Sequence, residues 1–141
     1  MNGAERSAPR GGFFVQVVPA LLYAFAIFYG GLARVPKTAS VDVSHFDKLL
    51  HALAFGFMQV VVLRAVRYEA SKLSFRNQNA LAFGLVVALG GLLELVQLMT
   101  AHRSAELLDW VADAAGAGAM ALWLAWLARD RACAPSRDPE G

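Results

Sequence analysis

The stretch 13–33, FFVQVVPALLYAFAIFYGGLA, runs for 21 residues without a charged side chain. A helix rises about 1.5 Å per residue, so a segment of this length matches the ~30 Å hydrocarbon core of a bilayer. Lipid holds no water to satisfy backbone N–H and C=O groups, so such a segment closes its hydrogen bonds within itself, as a helix. A soluble helix would need a polar stripe at helical period. This block offers only Gln16 and a few small or tyrosine positions. Arg6 and Arg10 precede it as an n-region would. A signal-peptide core is only about 7–15 residues long, however, so the block is expected to be retained as a span.

Three further apolar blocks follow. Leu49–Leu63 continues to Val66 if Arg64 snorkels, and is short for a span unless Phe46–Lys48 extends it. Ala80–Ala101 contains Glu94 and Gln97, and Leu107–Ala128 contains Asp109 and Asp113. The 141 residues are 57% hydrophobic and 17% charged, against roughly half apolar and a quarter charged in soluble domains. The excess is concentrated in these blocks. The expected fold is all-α, a polytopic membrane protein built as a bundle of four transmembrane helices. The membrane domain is expected over 13–128, with a tail over 1–12 and a disordered tail over 129–141. Arg67–Asn79 reads as a polar, basic connector and 102–106 as a tight corner. The net charge of +2 is too small and dispersed for the basic stripe that nucleic acid requires. The single cysteine, Cys133, can form no internal disulfide and lacks metal-ligand spacing.

Lysine and arginine in short loops favour the cytoplasmic side. With four spans, the termini and the middle loop share one side. That side carries nine basic residues: Arg6, Arg10, Arg64, Arg67, Lys72, Arg76, Arg129, Arg131 and Arg137. The other carries four: Arg34, Lys37, Lys48 and Arg103. Both termini are therefore expected in the cytoplasm. Trp123 and Trp126 then fall near the inner interface and Trp110 near the outer one.

Under this topology the polar residues of the spans gather at the outer face. Asp47, Lys48 and His51 open the second helix, Glu94 and Gln97 close the third, Arg103 sits in the corner, and Asp109 and Asp113 open the fourth. Asp47 with His51 and Asp109 with Asp113 are i,i+4 pairs, while Glu94 with Gln97 is i,i+3, so each pair shares a helix face. Ionisable groups near hydrocarbon turn inward and pair. Gly90 and Gly91 on the third helix, and the run Ala112, Ala114–Ala119 on the fourth, allow close approach of helices.

The run Asp47-Lys48-Leu49-Leu50-His51-Ala52-Leu53-Ala54-Phe55 resembles the opening motif of the VanZ-like family. Glu94-Leu95-Val96-Gln97 resembles its second motif, and Arg103-Ser104, Asp109, then Asp113 with Gly116, its third. The ordered set covers about residues 45 to 120. The family pattern has asparagine where this chain has Asp113, and glycine where it has Met120. The resemblance implies a multi-pass protein of the bacterial cytoplasmic membrane, linked to the cell envelope and, through the family's namesake, to teicoplanin resistance. It supplies no reaction.

Three classes of role remain open. In the first, Lys48 and Arg103 engage an anionic or lipid-linked head group of the envelope, Arg as a bidentate phosphate partner and Lys as a point charge. In the second, Asp47, His51, Glu94, Asp109 and Asp113 serve a metal-assisted or acid/base enzyme, with His51 as general base oriented by Asp47 or Glu94. His51, Glu94 and Asp109 are the candidate catalytic groups; no resident cofactor or metal is assigned. In the third, inter-helix pairs such as Glu94 with Arg103 or Lys48 with Asp109 set register, and the chain acts as a scaffold or through a membrane enzyme partner. Ser44 and Asp47 also fit a capping box, and Ser104 fits a cap. Gln16 and Gln59 fit helix-contact roles. Membrane lipids are the one partner the pattern itself demands.

Overall fold

The computed structural model describes residues 11–32, 44–99 and 107–133. The regular structure among them is helical throughout: α1 (Gly11–Gln16), α2 (Val18–Leu32), α3 (Ser44–Glu69), α4 (Phe75–Leu98) and α5 (Leu107–Cys133). Four segments are long and apolar enough to cross a membrane: Gly12–Leu32, Phe46–Glu69, Phe75–Leu98 and Leu107–Arg131. The four apolar blocks are thus four helical spans. Arg34, Lys37, His102, Arg103, Ser104 and the tails 1–10 and 134–141 lie outside the described residues.

The first span is interrupted between α1 and α2. Pro19 has no N–H to return to Val15, so the ladder breaks there. The turn re-forms on Val17, whose carbonyl accepts from Ala20 N at 3.0 Å and Leu21 N at 3.2 Å.

The helices run beyond their apolar blocks at the polar ends. The connector expected over Arg67–Asn79 shrinks to residues 70–74, because α3 continues through Glu69 and α4 begins at Phe75. Water beyond the hydrocarbon solvates charged side chains, so a helix need not end where its apolar run does. Ser74 caps α4, accepting from Asn77 N at 3.4 Å. Gln78 Nε2 donates to Ala70 O at 2.9 Å across the turn. Helix α5 likewise continues to Cys133, so residues 129–133, expected in the tail, are helical.

Apolar burial does little to hold helices together in lipid, where the surroundings are themselves apolar; close packing and hydrogen bonds must do it. The buried apolar centre is accordingly small, built on Phe55, Met58, Val86, Leu93 and Ala117. Large side chains such as Phe14, Leu22, Phe25, Leu53, Leu95, Leu122 and Trp126 point outward. The tightest crossing is between α3 and α5. A Cβ on Gly116 would collide with the Ala52 carbonyl, and one on Gly56 would lie 3.3 Å from Gly116 O. The pairs Lys48 with Asp109, His51 with Asp113 and Ala52 with Gly116 advance together along both helices. Helices α3 and α5 therefore run parallel, as second and fourth spans must.

Further along the bundle, Gln59 and Asn79 tie three helices. Gln59 Nε2 donates to Asn79 Oδ1 at 3.1 Å and Asn79 O at 3.3 Å. Asn79 Nδ2 donates to Ala121 O at 2.9 Å. The first span lies outermost, held by Tyr23 OH to Ala54 O at 3.1 Å and by Arg64 Nε to Gln16 Oε1 at 3.3 Å. Gln16 and Gln59 are thus helix-contact residues, as their positions suggested.

Candidate functional site

The first two turns of α3 place Asp47, Lys48 and His51 against the first two turns of α5, which carry Asp109 and Asp113. Both pairs reflect helical period, since residues four apart stack on one face. Lys48 Nζ lies 3.2 Å from Asp109 Oδ1, with side-chain exposures of 27% and 13%. One turn deeper, His51 Nδ1 lies 2.9 Å from Asp113 Oδ1. The depth ordering matters: the outer pair is partly exposed, whereas Asp113 is fully buried.

The chemistry of the inner pair follows from its geometry. A carboxylate only accepts, so with Asp113 ionised the proton sits on His51 Nδ1. His51 Nε2 then offers a lone pair in the neutral ring, or a second N–H in the charged one. A carboxylate–imidazole pair of this kind can orient a ligand hydroxyl or exchange a proton with it. Asp113 Oδ2 is buried without a hydrogen-bond partner among the described residues. It faces α4 at Gly90, where a Cβ would lie 3.1 Å away. Leaving a polar atom unsatisfied in hydrocarbon is costly, so the pair with His51 is the main compensation that Asp113 has.

His51 is therefore oriented by Asp113, not by Asp47 or Glu94 as the spacing had suggested. The cause is the α3–α5 crossing. Gly116 brings the helix axes close enough for Asp113, three residues earlier, to reach His51.

Asp47, His51 and Asp109 each offer one ligand atom, and these atoms lie within 4.8 Å of one another. The oxygen and imidazole donors suit a hard divalent ion or zinc. Lys48 already supplies positive charge to Asp109, so the cluster is partly neutralised by its own side chains.

The remaining site residues lie on α4 or outside the described residues. Glu94 is buried on α4, one turn beyond Gly90. Gln97 is buried too, but its Nε2 donates to Gly31 O at 2.8 Å, fastening α4 to α2. Arg103 lies outside the described residues, and so does its expected pairing with Glu94. Ser44 begins α3 and Asp47 stands in its first turn, where a carboxylate complements the helix dipole.

Sequence reasoning missed Asn79 and Trp110. Asn79 stood in what read as a connector; its signal was Gln78-Asn79 directly before an apolar run. Trp110 read as an interfacial aromatic, yet its Nε1 donates to Val87 O at 3.1 Å and its ring packs over Gly90 and Gly91. The paired glycines on α4 were the available signal for a large partner. Comparison with known proteins returns no matching family model, no matching curated protein and no matching solved structure.

Proposed function

We propose that this chain is a VanZ-like multi-pass protein of the bacterial cytoplasmic membrane, with both termini inside. Its extracytoplasmic rim binds or modifies a cell-envelope component carrying an anionic or lipid-linked head group. The observation that carries this reading is the meeting of Lys48, His51, Asp109 and Asp113 at one end of the spans. Ionisable groups within spans are expensive to keep and default to functional roles.

The pairings limit what the rim would accept. Lys48 and His51 are the cationic or donor groups, and Asp47 and Asp109 are acceptors beside them. A bare anion would meet the carboxylates as well as the ammonium. A phosphate carrying hydroxyl groups satisfies both kinds of partner, with phosphate on Lys48 and hydroxyls on the carboxylates. That chemistry belongs to polyol and sugar phosphates anchored on lipid. A link to glycopeptide resistance would follow from such a ligand in the envelope.

The test replaces Lys48 and Arg103 together with glutamine and compares lipids retained through mild detergent purification, by mass spectrometry. Loss of an anionic lipid held by the unaltered protein is expected. Unchanged retention of every anionic lipid would overturn the reading.

A second reading is a metal-assisted or acid/base membrane enzyme, favoured by the convergence of Asp47, His51 and Asp109. Elemental analysis of purified protein, before and after His51→Ala, tests it. A stoichiometric divalent ion lost on substitution supports it; no ion in either sample counts against the metal form.

A further inference from the structure

The first turns of α3 and α5 bring together more negative than positive charge. Asp47, Asp109 and Asp113 set their carboxylates against the single ammonium of Lys48. With the carboxylates ionised and His51 neutral, these side chains carry two net negative charges. Charge of that kind within two spans is costly unless it is compensated. A divalent cation supplies the matching charge.

The donors for one are in reach of each other. An oxygen of Asp47, a nitrogen of His51 and an oxygen of Asp109 lie within 4.8 Å of one another. Ligands about 2.1 Å from a tetrahedral ion stand about 3.4 Å apart, so the atoms need close by no more than ~1.4 Å. All three residues are only partly buried, and side-chain rotation covers that distance. Two carboxylates and an imidazole suit a first-row divalent ion such as Zn²⁺ or Mn²⁺ better than Ca²⁺, which takes about six to eight oxygens.

Asp113 points to a cation independently of these donors. It holds the Nδ1 side of the His51 ring at 2.9 Å, which leaves Nε2 as the nitrogen for an ion. A ligating histidine characteristically donates its other N–H to a carboxylate, which orients the ring and raises its basicity. Asp113 is fully buried, and its Oδ2 has no hydrogen-bond partner among the described residues. A neutral imidazole gives that carboxylate a hydrogen bond but no opposite charge. An ion on Nε2 supplies the charge through the ring.

We infer that Asp47, His51 Nε2 and Asp109 bind a first-row divalent ion, with Lys48 as its built-in competitor. Lys48 Nζ lies 3.2 Å from Asp109 Oδ1, so an ion seated on that carboxylate displaces the ammonium. Lys48 is the more exposed partner, and its flexible stem lets it swing off the cluster. The ion and Lys48 thus exclude one another on Asp109, and Lys48 sets how tightly the ion is held. This inference rests on the metal form of the second reading above; it adds which nitrogen ligates, which residue orients it and what the ion displaces.

The test titrates the untagged, metal-stripped full chain in detergent micelles with Mn²⁺, followed by electron paramagnetic resonance. One ion per chain is expected, with spin-echo modulation from a directly bound imidazole nitrogen. Asp47→Asn should weaken binding about tenfold or more. His51→Gln should also abolish the modulation, whereas His102→Gln should do neither. Helicity by circular dichroism checks that each variant is folded. Lys48→Gln should tighten binding about tenfold, the effect of one unit charge about 6 Å from a divalent ion in water. Arg64→Gln removes the same charge far along α3 and should leave the affinity unchanged.

Binding that Asp47→Asn and His51→Gln leave intact overturns the inference, because the ion then sits elsewhere. If the ion depends on both residues but Lys48→Gln binds no tighter than Arg64→Gln, the metal reading stands and the competition falls. If neither the unaltered chain nor Lys48→Gln binds Mn²⁺ or Zn²⁺ at millimolar concentration, the inference and the metal reading fall together.

Discussion

Replacing Gly116 with alanine should pull the site apart, although residue 116 touches no ligand candidate. A Cβ there would collide with the Ala52 carbonyl and stand 2.6 Å from Ala52 Cα, where ordinary contact begins at 3.4 Å. The obstacle is backbone, so no rotamer change relieves it. The helices must part by at least about 0.8 Å at this point, and overpacking of this kind destabilises by ~1–3 kcal/mol. The same movement takes His51 Nδ1 and Asp113 Oδ1 from 2.9 Å to roughly 3.7 Å, beyond hydrogen-bond reach. Losing a hydrogen bond to a charged group adds ~1.5–3 kcal/mol. Alanine's better helix propensity returns at most ~1 kcal/mol. The net expectation is a loss of about 2 kcal/mol or more. Unfolding in mixed micelles of rising sodium dodecyl sulfate fraction, followed by circular dichroism, measures it. Gly84→Ala is the internal control, because a Cβ there meets nothing within 4 Å; it should be neutral or slightly stabilising. A Gly116→Ala protein within ~0.5 kcal/mol of the unaltered one, as ordinary surface changes are, would refute the close α3–α5 crossing.

Three further outcomes are expected. His51→Leu strands Asp113 as a buried unpaired group and should destabilise by about 3–5 kcal/mol, while His51→Leu with Asp113→Leu recovers most of it; a double variant as unstable as the sum of the singles shows that the pair is not coupled. Asn79→Leu removes the acceptor side chain from Gln59 and should destabilise by ~1–3 kcal/mol, whereas Gln59→Leu with Asn79→Leu approaches neutrality in the same micelle assay; no rescue would discount the three-helix amide contact. Exchanging charges as Lys48→Asp with Asp109→Lys should restore what either single change loses, to within ~1 kcal/mol for a pair this exposed; failure of the exchange would assign Lys48 to something other than Asp109.

The existence of four spans was legible because each leaves a local mark. A bilayer demands a continuous apolar length, and Phe13–Ala33 or Ala80–Ala101 shows it in the residues alone. Helix ends were less legible. The apolar run marks the hydrocarbon, whereas the helix ends where its backbone groups find other partners, as at Ser74 and Gln78. The i,i+4 pairs at Asp47 with His51 and Asp109 with Asp113 correctly identified faces, and Lys48 with Asp109 was foreseen as one pairing among several.

What sequence alone determined, then, is what is fixed within a single helix: the number of spans and which residues share a face. Which face meets which was decided only in three dimensions. His51 takes Asp113 and not Asp47 or Glu94 because Gly116 admits the Ala52 backbone, and Gln97 bonds Gly31 on α2. Rotation and depth of one helix against another depend on atoms far apart in the chain, and spacing along one helix carries no record of them.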